Sequence, residues 1–162
     1  MDKCWVLNAS PVILLAKAEV IQFVPKICAQ LIIPEGTVQE VQRGKMSDAG
    51  RAWLAGEGAR YVKVSGKIPE PVLQFGLGLG ETEVIAWAAE NPGFEAVLDD
   101  LKARRCAAKL GLSVVGSLRV LIILKEQKLI PAIRPAVDKF REAKSYISEA
   151  LIQDALKIAG EL

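Results

Sequence analysis

The fold class is decided by residues 96–115, which read AVLDDLKARRCAAKLGLSVV. Residues 96–98 form a short apolar run that is typical of a buried strand, and two aspartates follow it directly. Residues 101–110 have the pattern of a helix that Gly111 can end, and residues 113–115 form the next short apolar run. A strand, a helix and a second strand in this order predict a parallel pair joined by a crossover helix.

The same alternation continues along the rest of the chain. Apolar runs at residues 4–7, 31–33 and 61–64 predict further strands between helical patterns. We expect an α/β domain of three layers, α/β/α, with a central parallel sheet of about four or five strands. The length and the 51% hydrophobic content favour a single domain over residues 1–162. One predicted helix ends near Lys17, and another begins at Pro69. The other predicted helices cover residues 20–26, 34–44, 48–55, 80–91, 117–128, 131–143 and 148–159.

Composition excludes several kinds of site. The chain contains no histidine, which removes imidazole-dependent triads and zinc sites with histidine ligands. The cysteines Cys4, Cys28 and Cys106 are odd in number and far apart, so we expect buried free thiols. The 21 basic and 19 acidic residues nearly cancel, so any contact with nucleic acid needs a local patch. Chemistry must rest on carboxylates, amides, hydroxyls or lysines.

The sequence pattern predicts neither a secretory signal peptide nor a membrane-spanning segment. The first residues lack the layout of a signal peptide, and the apolar runs are shorter than the roughly 20 residues that cross a bilayer. We therefore expect a soluble, cytoplasmic protein without a membrane partner.

Glu81 has the most unusual placement in the sequence. It opens the helical segment of residues 80–91 on the same stripe as Val84, Ile85 and Ala88, which should face the core. An ionised carboxylate on such a stripe needs a compensating partner, because desolvation of a lone charge is costly. A metal ion is the partner that we favour, although the first turn of a helix also suits a carboxylate.

Further polar residues are expected at one edge of the sheet. Asn8 and Asp99 follow separate predicted strands, and the C-terminal ends of parallel strands meet at the same edge. Glu40 lies one turn into its helix and can lean toward this edge. A structural alternative is open for each: Asn8 suits a turn or a helix cap, Asp99 or Asp100 suits a cap, and Glu40 suits an exposed helix face.

The order of these residues resembles the PIN-like nucleases. Within them, the chain is most similar to the branch of predicted nucleic-acid-binding proteins related to the toxins of toxin–antitoxin modules. The resemblance covers nearly the whole chain. It is carried by VLNASP at residues 6–11, by IP at 33–34 with Val38 and Glu40, by LGETE at 79–83, by LDD at 98–100 with Ala103 and Arg104, by LGL at 110–112, and by VGSL at 115–118.

The resemblance implies a PIN-like domain with a pocket of four acidic positions that binds Mg2+ or Mn2+ and hydrolyses RNA phosphodiesters. It places Asn8, Glu40, Glu81 and Asp99 at those positions, with Asp100 as an alternative to Asp99 as metal ligand. Glu40, Glu81 and Asp99 are thereby the implied catalytic residues. Hard divalent ions prefer oxygen ligands and can activate water while stabilising charge on a phosphate. A toxin-like role, a small antitoxin partner and a homodimer are also implied.

Asn8 departs from the family pattern, which ordinarily has aspartate at this position. An amide keeps a carbonyl oxygen but lacks the negative charge, so metal affinity and activation of water should weaken. The sequence therefore favours a metal-dependent ribonuclease of reduced activity. It leaves open an inactive PIN-like module that binds nucleic acid or protein.

Two further features concern phosphate binding. Residues close to the acidic positions are candidates for contact with RNA phosphates, although a solvated helix face also explains the basic ones. The glycine stretch of residues 76–80 superficially resembles a phosphate-binding loop, but no clear strand precedes it and neither nucleotide fingerprint is complete. A nucleotide-binding protein and a purely structural partner of another protein remain alternatives. The candidate RNA contacts are Ser10, Lys102, Arg104, Arg105 and Ser117, with Lys109 further along the same helix.

Overall fold

A computed structural model describes residues 2–44, 48–143 and 147–162. Within these ranges the chain forms five strands and ten α-helices. The strands are β1 (Lys3–Leu7), β2 (Cys28–Pro34), β3 (Val62–Lys63), β4 (Glu95–Val97) and β5 (Val114–Val115). The helices are α1 (Ala9–Lys17), α2 (Val24–Ile27), α3 (Glu35–Arg43), α4 (Asp48–Ala55), α5 (Glu70–Leu73), α6 (Leu79–Glu90), α7 (Leu101–Lys109), α8 (Ser117–Glu126), α9 (Arg134–Glu142) and α10 (Glu149–Ile158).

The described strands form one parallel sheet in the order β3-β2-β1-β4-β5. Strand β1 is central and pairs with β2 on one side and with β4 on the other. Parallel neighbours require a crossover, and helices occupy each of the connecting segments. The prediction of an α/β fold with a parallel sheet of four or five strands is confirmed.

Alternate residues of the central strand face two separate apolar layers. Trp5 and Leu7 pack on one face of the sheet with α1, α8, α9 and α10. Val6 packs on the opposite face with α6 and α7. Successive side chains of a strand point to opposite faces, so a strand that is apolar at every position needs helices on both sides. The result is the expected three-layer α/β/α arrangement.

Some predicted boundaries are wrong, for local reasons. Strand β2 begins three residues earlier than predicted, because Ala29 and Gln30 are exposed and lack the apolar pattern of a buried strand. Helix α9 begins three residues later than predicted, with Pro135 in its first turn. The segment of residues 20–26 divides into a 3₁₀ turn and the short helix α2, which has Pro25 in its first turn.

The cysteines are free thiols, as the sequence predicted. Cys28 and Cys106 are buried, whereas Cys4 is half-buried. Burial, with a smaller contribution from Cys4, raises the pKa of the Cys28 thiol to about 12. Burial also raises the pKa of Cys106. Both buried thiols are therefore neutral and serve as small apolar residues of the core.

None of the helices in the described ranges has the continuous apolar length that a bilayer crossing requires.

Candidate active site

A cavity of about 340 Å³ lies at the C-terminal edge of the parallel sheet. Asn8 follows β1 directly, and Asp100 lies three residues beyond the end of β4. The remaining lining side chains come from α1, α3 and α6, so segments that are far apart in sequence meet at this edge. The residues that line the cavity are Asn8, Ala9, Ser10, Ile13, Glu40, Glu81 and Asp100.

Asn8 occupies the N-cap position of α1, but its side chain makes no capping hydrogen bond. The residue is only 4% exposed, and its Oδ1 atom has no hydrogen-bond partner. Its main-chain N–H continues the sheet by donating to the carbonyl of Val97 at 3.2 Å. A buried acceptor that lacks a donor costs about 1–3 kcal/mol. The cap alternative therefore leaves the Asn8 amide oxygen unexplained.

The Glu40 carboxylate is positioned by contacts of α3 with β1 and with α6. One turn before it, Thr37 Oγ1 donates to the carbonyl of Leu7 at 2.9 Å, which fixes α3 against the end of β1. Glu40 Oε1 accepts a hydrogen bond from the Gly80 N–H at 2.8 Å. A Cβ atom on Gly80 would lie 2.9 Å from Glu40 Cδ, so only glycine permits this approach without a shift.

The sequence placed Gly80 in the glycine stretch of residues 76–80 and at the start of the Glu81 helix, but it did not identify Gly80 as a site residue. Its role depends on a contact between α3 and α6, and a glycine in the first turn of a helix gives no signal of such a contact.

Glu81 shares the cavity with two other carboxylates. Burial raises the pKa of the Glu81 carboxyl group, and the negative charges of Asp100 and Glu40 raise it further. The backbone of Gly78 and the charge of Lys102 lower this pKa by less. The expected conflict between the inward position of Glu81 and its charge is therefore present in the structure. A divalent cation would remove this conflict, because it attracts all three carboxylates.

The two adjacent aspartates have different surroundings. Asp100 lines the cavity and caps α7, since its Oδ2 accepts from the Ala103 N–H at 3.0 Å. Asp99 Oδ2 accepts from Ser10 Oγ at 2.8 Å and from Ser117 Oγ at 2.7 Å, while its Oδ1 accepts from the Ser117 N–H at 2.8 Å. Asp100 thus faces the acidic cavity, and Asp99 joins the first turns of α1 and α8.

The candidate RNA contacts are also placed differently from one another. The hydroxyls of Ser10 and Ser117 both donate to Asp99. Arg104 is half-buried, and its Nη1 donates to the carbonyl of Leu98 at 2.8 Å. Lys102 and Arg105 are exposed on α7. Their exposure allows contact with an external phosphate, as does that of Lys109 further along the same helix.

The glycine stretch before α6 borders the acidic cavity. A Cβ atom on Gly78 would lie 3.3 Å from Glu40 Oε1 and 3.8 Å from Glu81 Oε1. Loops that hold phosphates surround them with backbone N–H groups and positive potential. Two carboxylates beside this loop repel a phosphate, which argues against the nucleotide-binding alternative.

The cavity offers oxygen donors of the type that hard divalent ions bind. Its carboxylates and the unpartnered Asn8 oxygen fit magnesium or manganese by donor chemistry. No three Asp, Glu, His or Cys side chains in the described part of the chain are close enough to form a ready-made ion site. The carboxylates surround the cavity without converging on one point, so an ion needs side-chain adjustment to bind all of them.

Comparison with known proteins gives one family. A family model described as a PIN domain matches residues 4–161, and no curated protein matches the chain. The PIN domain is a nuclease fold whose members generally use divalent metal ions. The match covers nearly all of the chain and agrees with the parallel three-layer architecture. The chain therefore belongs to the PIN-domain family.

Proposed function

We propose that this protein is a metal-dependent ribonuclease that hydrolyses RNA phosphodiesters with Mg2+ or Mn2+. The observation that carries the proposal is the buried, unpartnered Asn8 Oδ1 atom in a cavity that also contains Glu40, Glu81 and Asp100. An unpaired acceptor and three mutually repelling carboxylates are unfavourable without a cation. Membership of the PIN-domain family supports the same reading.

In the proposed site Glu40, Glu81 and Asp100 hold the ion, and Asn8 contributes a neutral oxygen. A bound divalent ion supplies Lewis-acid activation of water and of the scissile phosphate. The Gly80 N–H orients Glu40, and the Ala103 N–H orients Asp100. These partners hold ligand atoms in place before an ion arrives.

Asp99 acts in this proposal as a positioning residue. Its three hydrogen bonds from Ser10 and Ser117 connect the end of β4 to the first turns of α1 and α8. The same bonds direct the Ser10 hydroxyl hydrogen toward Asp99, so the oxygen lone pairs of Ser10 are free to face the cavity that it lines.

The first experiment measures cleavage of a labelled single-stranded RNA by the purified protein with manganese, with magnesium and with a chelator. We expect cleavage only with a divalent ion, and we expect Glu81→Gln to abolish it while the protein stays folded. Equal cleavage by wild type and Glu81→Gln, or cleavage in the chelator, would refute the assigned site.

Asp99→Asn and Asp100→Asn form a matched pair for assigning the fourth ligand. Asparagine is as good an N-cap as aspartate, so Asp100→Asn should keep the stability of the protein and lose manganese binding in calorimetry. Asp99→Asn should retain manganese binding. Its free energy of unfolding should be lower by about 1–3 kcal/mol, because an amide cannot accept all three hydrogen bonds. The reverse pattern would make Asp99 the ligand.

A catalytically inactive binding module is the second candidate, and the amide at Asn8 favours it. The Asn8→Asp variant distinguishes the two functions. We expect its manganese affinity to rise about tenfold or more, with faster cleavage than wild type, because a charged oxygen replaces a neutral one. A variant that gains metal affinity but cleaves nothing would support the binding module.

The biological context is a proposal that rests on the family resemblance alone. We propose a toxin of a toxin–antitoxin module, acting on RNA in the cytoplasm as a homodimer and inhibited by a small antitoxin protein. Growth arrest on expression, absent with Glu81→Gln, tests the toxin role. Light scattering of the purified protein tests the dimer.

A further inference from the structure

Helix α7 carries a row of cations that leads away from the acidic cavity. The helix contains no Asp or Glu, and its Lys102, Arg105 and Lys109 side chains are exposed. Spacings of three and four residues place these three on one face of the helix. Ala103, Cys106 and Ala107 form the buried side of the helix, which packs against the sheet. We call the exposed face formed by Lys102, Arg105 and Lys109 the α7 ridge.

The cations of the α7 ridge form no ion pair with any residue that the structure describes. The described residues form seven ion pairs, and none of them includes Lys102, Arg105 or Lys109. Lys109 Nζ lies 5.9 Å from the centroid of the Phe75 ring, which leaves its charge uncompensated. Arg104, on the same helix, is excluded from the ridge because it is half-buried and bonded to the Leu98 carbonyl.

The α7 ridge begins next to the acidic cavity. Asp100, which lines the cavity, is also the N-cap of α7, so Lys102 lies in the first turn beyond it. The charge of Lys102 is close enough to lower the pKa of Glu81. From Lys102 to Lys109 the helix rises by about 10 Å, at about 1.5 Å per residue. Positive charge therefore extends in one direction from the place where a scissile phosphate would lie.

We propose that the α7 ridge binds the phosphate backbone of a single RNA strand whose scissile phosphate lies in the acidic cavity. This inference rests on the proposed function, and it adds the path of the substrate on one side of the cleavage point. A single strand is favoured because the candidate ligands are recessed, with Asn8 only 4% exposed. A flexible strand can bend into such a cavity, whereas a stacked duplex keeps its backbone regular.

The test compares two triple variants that remove the same charge. The ridge variant is Lys102→Gln, Arg105→Gln and Lys109→Gln. The control variant is Lys17→Gln, Lys26→Gln and Lys128→Gln. The control lysines make no ion pair with any described residue. They lie at the end of α1, in α2 and after α8, toward the sheet edge opposite the acidic cavity. Binding of a fluorescent single-stranded RNA is measured by anisotropy in a chelator over a series of salt concentrations, and melting curves check that each variant is folded.

Counterion release gives the expected size of the effect. Each phosphate contact contributes about 0.7 to the slope of log affinity against log salt for a single strand, so three lost contacts should reduce the slope by about 2. At about 0.15 M salt this corresponds to an affinity loss of about 50-fold. The control variant should bind with the wild-type slope.

Two results would overturn the proposal. The first is equal slopes and affinities for the ridge and control variants. The second is equally tight binding of duplex and single-stranded RNA with the same loss in the ridge variant, which would exclude a single-strand path. Failure of the proposed nuclease activity gives a different result: RNA that binds through the α7 ridge but is not cut with manganese.

Discussion

Replacing Gly80 with alanine tests whether Glu40 is a metal ligand without altering any carboxylate. The added Cβ atom would lie 2.9 Å from Glu40 Cδ and 3.0 Å from each carboxylate oxygen. Ordinary contacts begin at about 3.4 Å, so the carboxylate must retreat by about 0.5 Å or rotate away. Displacements of about this size are enough to disable a functional site, and losing a partner that orients a metal ligand typically costs about 10- to 100-fold in affinity.

The effect of Gly80→Ala on stability should be small by comparison. Alanine favours the helix over glycine by up to about 1 kcal/mol, whereas the lost hydrogen bond from the Gly80 N–H to Glu40 costs about 1.5–3 kcal/mol. The free energy of unfolding should therefore fall by less than about 2 kcal/mol, since the displaced carboxylate regains water. Metal affinity and folding are thus affected to different extents.

Calorimetric titration with manganese measures the expected loss, and a thermal melt checks the fold. Gly66→Ala is the matched control, because no heavy atom lies within 4 Å of its added Cβ. A folded Gly80→Ala protein whose manganese affinity stays within about twofold of wild type would show that Glu40 does not bind the ion.

The remaining predictions concern pH and stability. Burial and the charge of Asp100 raise the pKa of Glu81, so the metal-free protein should become more stable as pH falls from neutral through this raised pKa. For the same reason, Glu81→Gln should be more stable than wild type near pH 7. Glu161→Gln should lower the free energy of unfolding by about 2 kcal/mol, or the Tm by about 4–8 °C. The wild-type Glu161 carboxylate is 12% exposed and accepts hydrogen bonds from Lys125 at 2.9 Å and from two backbone N–H groups. Burial alone would raise the pKa of Glu161, but the hydrogen bonds outweigh burial and the net pKa is lowered. The destabilisation by Glu161→Gln should therefore disappear in acid, as pH falls through this lowered pKa. Lys128→Gly should raise the free energy of unfolding by about 0.5–1 kcal/mol. Lys128 follows α8 with a φ of 62°, a left-handed conformation that glycine adopts without strain.

Thermal melts in a chelator across a pH series check these three variants against wild type. A Glu81→Gln protein that is less stable than wild type at neutral pH would mean that the carboxylate has a favourable partner. An unchanged Tm for Glu161→Gln would mean that its hydrogen bonds are replaced by water at no cost. Destabilisation by Lys128→Gly would contradict the strain inferred from its backbone angle.

The alternation of strands and helices was readable from residues 96–115 and from the other short apolar runs. It was readable because period and turn chemistry are local properties, and because buried parallel strands are apolar at every position. The order β3-β2-β1-β4-β5 was beyond the sequence, since strands of similar composition can pair in several orders. The start of β2 was not predicted, because the exposed residues Ala29 and Gln30 lack the apolar pattern of a buried strand.

For the candidate site, the sequence determined which residue types are present and that Glu81 is unusual on an inward stripe. Only the tertiary structure decided which of two neighbouring aspartates faces the cavity, that the Asn8 oxygen is buried without a partner, and that Gly80 touches Glu40. Residue type and spacing follow from the chain itself. Desolvation, hydrogen-bond partners and the meeting of residues 40 positions apart depend on how the helices pack around the sheet.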